Sequence, residues 1–229
     1  EGAVVLGGDA TRPEMLRRAR VHTARRLISV CGDDGINAEA GVQSVGLVAG
    51  DARAPLECIL HVTNPHLCDL LREREIESGR IDGFRLQFFN VFEASAQALL
   101  NEYVPLEGPF DRPPHILLVG FGNLGESLLL QMARRWSVSR PPAASPLRVT
   151  VVDRDADHRT ESLCRRYPRL TEACQLVPQA IDVSGRALQG TDFLLHPDGE
   201  HDLTAAIVSL DDDSLALSTA LTLRQELLG

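Results

Sequence analysis

The chain has 229 residues, enough for one large or two small domains with buried cores, and 44% hydrophobic against 24% charged residues is the balance of an ordinary globular protein. A net charge of −9 argues against nucleic acid as the partner, because phosphate backbones need concentrated Lys and Arg, and pairs such as Arg17-Arg18, Arg25-Arg26 and Arg165-Arg166 are short and scattered. Five cysteines with no C-x-x-C pair make neither a disulfide framework nor a zinc knuckle, no apolar run reaches the roughly 18 residues of a membrane span, and none has the build of a signal peptide.

The start at Glu1, without an initiator Met, reads as a piece of a longer protein. Residues 3–6 predict a strand, 13–19 a helix opened by Pro13, 27–31 a strand, 37–47 a helix, 58–62 a strand and 65–77 a helix. His61 and His66 beside Cys58 and Cys68 match no zinc spacing, so no metal site is expected there. FRLQFF precedes an amphipathic helix over 91–103, with Val91, Phe92, Ala96, Leu99 and Tyr103 on one side. That side suits a partner as well as its own domain. PLEGPFDRPP, residues 105–114, marks a linker, giving domains over 1–108 and 109–229.

Residues 115–125, HILLVGFGNLG, join an unbroken aliphatic run to Gly-x-Gly-x-x-Gly, and RVTVVD ends on Asp153, 28 positions past Gly125. Ile116 to Val119 suits a strand buried on both faces. Gly120 permits the tight turn, Gly122 lets backbone approach a pyrophosphate, and Gly125 lets the next helix pack close. That helix, opening near Asn123, offers free amides and the positive end of its dipole to an anion. Leu124, Leu128, Leu129 and Met132 form its inner face. Asp153, closing a strand over 147–152, would accept hydrogen bonds from ribose hydroxyls. The acid of such a fingerprint usually lies about 20 residues on; SVSRPPAASP, residues 137–146, predicts an inserted loop that accounts for the excess. A helix over 156–167, a strand, a short helix, a strand and a helix over 214–227 complete an alternation that implies an α/β, doubly wound parallel sheet of Rossmann-like type.

The chain also resembles itself. LISVCGDDGINAEAGV (27–42) parallels AAIVSLDDDSLALSTAL (205–221), setting Asp33 and Asp34 against Asp211 and Asp212, and VVLGGDATRPEML (4–16) parallels LVPQAIDVSGRAL (176–188), setting Asp9 against Asp182. A longer connection at 190–199 in the second copy absorbs the difference in separation. One partial and one nearly complete copy of an α/β unit are expected, only the second with a glycine fingerprint. A first sheet without its first two strands would expose an edge and an apolar face, to be covered by an upstream part or by another chain.

GDATRPEMLRRARVHTARRLISVCGDDGINAEA resembles the second half of the TrkA-N, or RCK, domain, which regulates potassium channels and transporters, and HILLVGFGNLGESLLLQMARRW resembles the opening of a second such unit. The matching positions in the first copy are Gly8, Asp9, Ala10 and Thr11, then Pro13 to Leu16, Asp33, Asp34 and Asn37. The resemblance implies a regulatory, non-enzymatic module that binds NAD(H), ATP or ADP and acts by conformational change in a homo-oligomer, a dimer or larger ring. It implies a cytoplasmic location at the inner face of the membrane, through a fused or partner pore or transporter subunit, and no nucleic acid. Carried over by position, Gly120, Gly122, Asn123, Leu124 and Gly125 would cradle phosphates, Asp153 would hold ribose, Asp182 with Val183 would lie beside adenine, and Arg154 would belong to the same cofactor site. IDVSG stands where the family has GDAT, and LDDDSLAL lacks the Asn equivalent to Asn37.

Two other readings compete. An NAD-dependent oxidoreductase would need a proton donor facing the nicotinamide; His115 and His158 are nearest, and they read as a strand-entry residue and an exposed helix residue. A scaffold that keeps its glycines for packing, with no ligand, is the other.

Overall fold

A computed structural model of the protein describes residues 2–48, 55–64, 67, 70, 84–104, 106, 113–140, 145–183 and 203–228. The chain divides into two compact units, Glu1–Val91 and Phe92–Gly229, a boundary earlier than the 108/109 expected from the linker. Residues 67 and 70 are helical, but the rest of the predicted helix over 65–77, the connection at 190–199, the short helix before the last strand and most of the linker fall outside the described residues.

In the first unit, α1 (Pro13–Arg18) and a 3-10 turn (Val21–Thr23) lead to β1 (Arg26–Ser29), α2 (Asp34–Val48), β2 (Leu56–His61) and β3 (Phe84–Phe89). The strands are parallel in the order β1-β2-β3, with Leu27 beside Cys58 and Leu56, Cys58 and Leu60 beside Phe84, Leu86 and Phe88. Burial alternates along β2. Leu56, Cys58 and Leu60 lie inside, and Leu16, Val21 and Val48 pack with Leu56 from the helices. The FRLQFF segment, assigned no element from sequence, is the third strand.

The strand expected at residues 3–6 is absent. Val4 and Val5 are 85% and 91% exposed, and no described strand lies alongside to pair their backbone groups, without which an extended segment gains nothing from being a strand. The first ordered feature is a turn at Asp9, whose Oδ1 accepts hydrogen bonds from the Thr11 hydroxyl and amide.

The acidic pair and Asn37 tie the ends of β1 and β2 together. Asp33 caps α2 by accepting the Ile36 amide. Asp34 accepts the Thr63 amide and hydroxyl and the Asn64 amide beyond β2. Burial works to raise its carboxyl pKa, but these donors outweigh it and hold the group below its ordinary value. Asn37, fully buried, accepts from the Ser29 hydroxyl and Cys31 amide and donates to the Cys31 and His61 carbonyls.

The second unit has α3 (Val91–Tyr103), β4 (His115–Val119), α4 (Asn123–Ser139), β5 (Leu147–Asp153), α5 (Ala156–Arg166), α6 (Leu170–Ala173), β6 (Cys174–Ala180), β7 (Leu203–Val208) and α7 (Asp213–Leu228). Its parallel sheet has the order β6-β5-β4-β7. Helices cover both faces. Leu128, Leu129, Met132 and Trp136 of α4, Leu163 of α5 and Ala96 and Leu100 of α3 meet one face, while Leu223 of α7 meets Leu117, Val119 and Val152 on the other. β4 is buried throughout, which explains its unbroken apolar run. Of the side of α3 expected from sequence, Ala96 is buried and Leu99 partly buried on this core, while Val91 and Tyr103 are exposed. Within each sheet the strands run parallel, flanked by helices, a Rossmann-like α/β arrangement.

Two expectations need correcting. The loop predicted from residue 137 begins later, since α4 continues to Ser139; residues 137–139 contain no proline, and the helix is free to run until the pair at 141 and 142. The repeat also aligns one residue further along. The Asp212 carboxylate accepts the Leu215 amide as Asp33 accepts that of Ile36, so Asp33 and Asp34 match Asp212 and Asp213, and Ala216 stands in place of Asn37.

Asn37→Ala removes four hydrogen bonds at once and is expected to cost the first unit about 2–4 kcal/mol. The check is labelling of Cys58, a buried thiol whose pKa burial pushes up to about 12 and which therefore reacts only on opening; wild-type labelling rates in the variant would contradict the tie. Asp34, depressed in the folded state, stabilises fully above its unfolded pKa of roughly 3.9 and loses this as pH falls through its lower folded value. Asp34→Asn is therefore expected to be less stable than wild type at neutral pH, the gap closing in acid, as followed by circular dichroism in urea.

Candidate functional site

The chain leaves β4, builds α4 and β5, continues to β6 on the same side, then returns to β7 on the other side of β4. This reversal sets a topological switch point between β4 and β7, and open α/β sheets bind ligands at the carboxyl ends of the strands beside such a point. The glycine loop lies there. Gly120 has φ +90, a left-handed conformation, and a Cβ on it would come within 2.6 Å of the Ser209 carbonyl oxygen. Ser209 also donates its hydroxyl to the Gly120 carbonyl (2.8 Å), so the loop after β7 clamps the turn after β4. A Cβ on Gly125 would run into the Gly120 carbonyl oxygen. Both glycines are demanded by the fold.

Gly122 differs. Its φ is −77, open to any residue, and a Cβ there would meet nothing within 4 Å. It is the N-cap of α4, a position where Ser, Asn or Asp would stabilise the helix through a side-chain cap, and no such cap is present. Asn123 is exposed and Leu124 packs on the core. Glu126 in the first turn would oppose an anion, but Arg166 lies 3.4 Å from its carboxylate and offsets that charge.

Asp153 comes to the loop because β4 and β5 pair Val119 with Val152. Its Oδ2 accepts the Phe121 amide (2.8 Å) and its Oδ1 the Asp155 amide (2.9 Å). Arg159 of α5 donates to the Phe121 carbonyl (2.7 Å), with its Nε 3.9 Å from Asp153 Oδ1. Arg154 and Asp182, which follow β5 and β6, form an exposed ion pair at 3.7 Å. Val183 packs against the cluster of Leu117, Val119 and Val152. The structure thus joins the glycines to Asp153 and pairs Arg154 with Asp182. Arg159 and Ser209 escaped the sequence reading, since each acts on a backbone carbonyl and belongs to no spaced motif.

His115 is fully buried, its Nε2 2.8 Å from the Thr150 hydroxyl, and His158 is exposed on α5. His66 and Cys68 lie outside the described residues. A separate cavity of about 790 Å³ opens between α5 and β6, lined by Asp157, Glu161, Cys164, Cys174 and Pro178 among others, and shares no residue with the glycine loop. Among the described residues no helix is long and apolar enough to cross a membrane.

Fold and site define an α/β protein with Rossmann-like parallel sheets and a glycine loop at a sheet's switch point. No protein-family model matches the chain, and no curated protein matches it at a significant level.

Gly120→Ala and Gly125→Ala are each expected to destabilise the second unit by about 2 kcal/mol or more, through left-handed strain and overpacking respectively. Gly122→Ala should stay within about 0.5 kcal/mol of wild type. Fluorescence of Trp136, the chain's single tryptophan and buried in this core, reports the urea transitions; equal losses at all three positions would contradict the distinction.

Proposed function

We propose that the second unit is a regulatory, non-enzymatic nucleotide-binding module, taking NAD(H) or ATP/ADP with its phosphates at residues 120–125. The observation that carries this reading is Gly122. Packing and backbone conformation demand glycine at 120 and 125 but not at 122, an N-cap that Ser or Asp would fill slightly better, whereas a phosphate approaching the first amides of α4 needs that space empty. Asp153 keeps further lone pairs on both oxygens and can accept a ribose hydroxyl without leaving the loop. On the adenine side, Arg154, Asp182 and Val183 would flank the base.

The wider role rests on the resemblance to TrkA-N/RCK units. We take the module to work in a homo-oligomer on the cytoplasmic side of a potassium channel or transporter, a ligand shifting its conformation by differential affinity for two states. Against an oxidoreductase stands the burial of His115, the imidazole nearest the loop in sequence, which leaves it no route to a substrate proton.

The test is calorimetric titration of the whole chain with NAD, NADH, ATP and ADP, beside Gly122→Asp. The variant places a carboxylate where the phosphate would sit and also supplies the missing helix cap. Wild type should bind at least one of the four, and Gly122→Asp should bind none while unfolding at equal or higher urea. Absence of binding by wild type at about 1 mM would sink the nucleotide reading in favour of a ligand-free scaffold.

A further inference from the structure

We infer that Arg159, a residue outside the glycine motif, is a positioning residue that orients the Gly122 amide toward the ligand; this rests on the nucleotide reading above. The carbonyl of Phe121 and the N–H of Gly122 belong to one peptide unit, and the described chain has no cis peptide bonds. In a trans peptide the two point in opposite directions. The 2.7 Å hydrogen bond from Arg159 Nη1 to the Phe121 carbonyl therefore fixes the Gly122 N–H pointing away from α5. Without that bond the plane is free to rotate, and a rotated plane presents a carbonyl oxygen where an anion needs a donor.

The neighbouring groups make Arg159 the deciding partner. Phe121 is held at its side chain, fully buried, and at its amide by Asp153, but both holds lie before the Phe121 carbonyl. Gly122 beyond it is held at its own carbonyl by the Glu126 amide, but it has no Cβ to hinder a turn of the peptide plane that precedes it. The root of Arg159 is steady, because Ala156, Thr160 and Leu163 of α5 are buried against the sheet. Asp153 Oδ1, 3.9 Å from Nε, keeps the guanidinium near the carbonyl.

The experiment uses the full chain with Arg159→Met and Arg159→Lys, read by ADP titration and by the Gly122 amide resonance in ligand-free protein. Arg159→Met should weaken ADP binding about tenfold or more with the Trp136 urea transition unchanged. Guanidinium, at a concentration too low to denature, should restore affinity in that variant, and Arg159→Lys should fall between the two. The Gly122 resonance should broaden or split in Arg159→Met as the peptide samples both orientations. ADP affinity equal to wild type, or a loss that guanidinium does not restore, overturns the proposal. If wild type binds no nucleotide, the functional reading fails and the resonance alone decides: a single sharp Gly122 signal in Arg159→Met overturns the orienting role, and a split one supports it.

Discussion

The hydrogen bond from the Phe121 amide to the Asp153 carboxylate holds the second unit's site together, and it exists because β4 and β5 run parallel with Val119 beside Val152. Parallel pairing brings both carboxyl ends to one side of the sheet, so an acid ending the second strand reaches the turn after the first. From that contact the rest follows in order. The turn is fixed, Gly120 is pressed against Ser209, α4 starts at Gly122, and Gly125 closes onto the Gly120 carbonyl. Asp153 is thus a fastener of the loop, and the ribose contact proposed for it would use other lone pairs of the same carboxylate.

The two units put similar residues to different uses. In the first, Asp33, Asp34 and Asn37 are consumed in capping α2 and joining the ends of β1 and β2, so their presence needs no ligand to explain it. In the second, Ala216 stands where Asn37 would, and the loop after β7 bonds instead to the glycine turn through Ser209. The tie between neighbouring strand ends has moved from a buried amide to a hydroxyl at the switch point.

The sequence foretold β4, the glycine turn, α4 and Asp153 because each carries a local signal: an unbroken apolar run, glycines at fixed offsets, a helical stripe, an acid at a strand end. It misplaced what depends on neighbours distant in sequence. Residues 3–6 have strand composition, but among the described residues no strand lies alongside them, and FRLQFF becomes β3 because β2 lies beside it. The repeat was set one residue out, since three consecutive acids at 211–213 offer two equivalent alignments until the cap at Asp212 chooses one. Arg159 and Ser209 were invisible because their partners are backbone carbonyls, which leave no mark in the sequence.

The most direct test of the account is a map of backbone amide resonances during titration with ADP and with NADH. The account predicts that the largest changes fall on Gly122, Asn123, Leu124 and Gly125, with smaller ones near Asp153 and Asp182. Changes centred on the cavity between α5 and β6, or no changes at all, would contradict it.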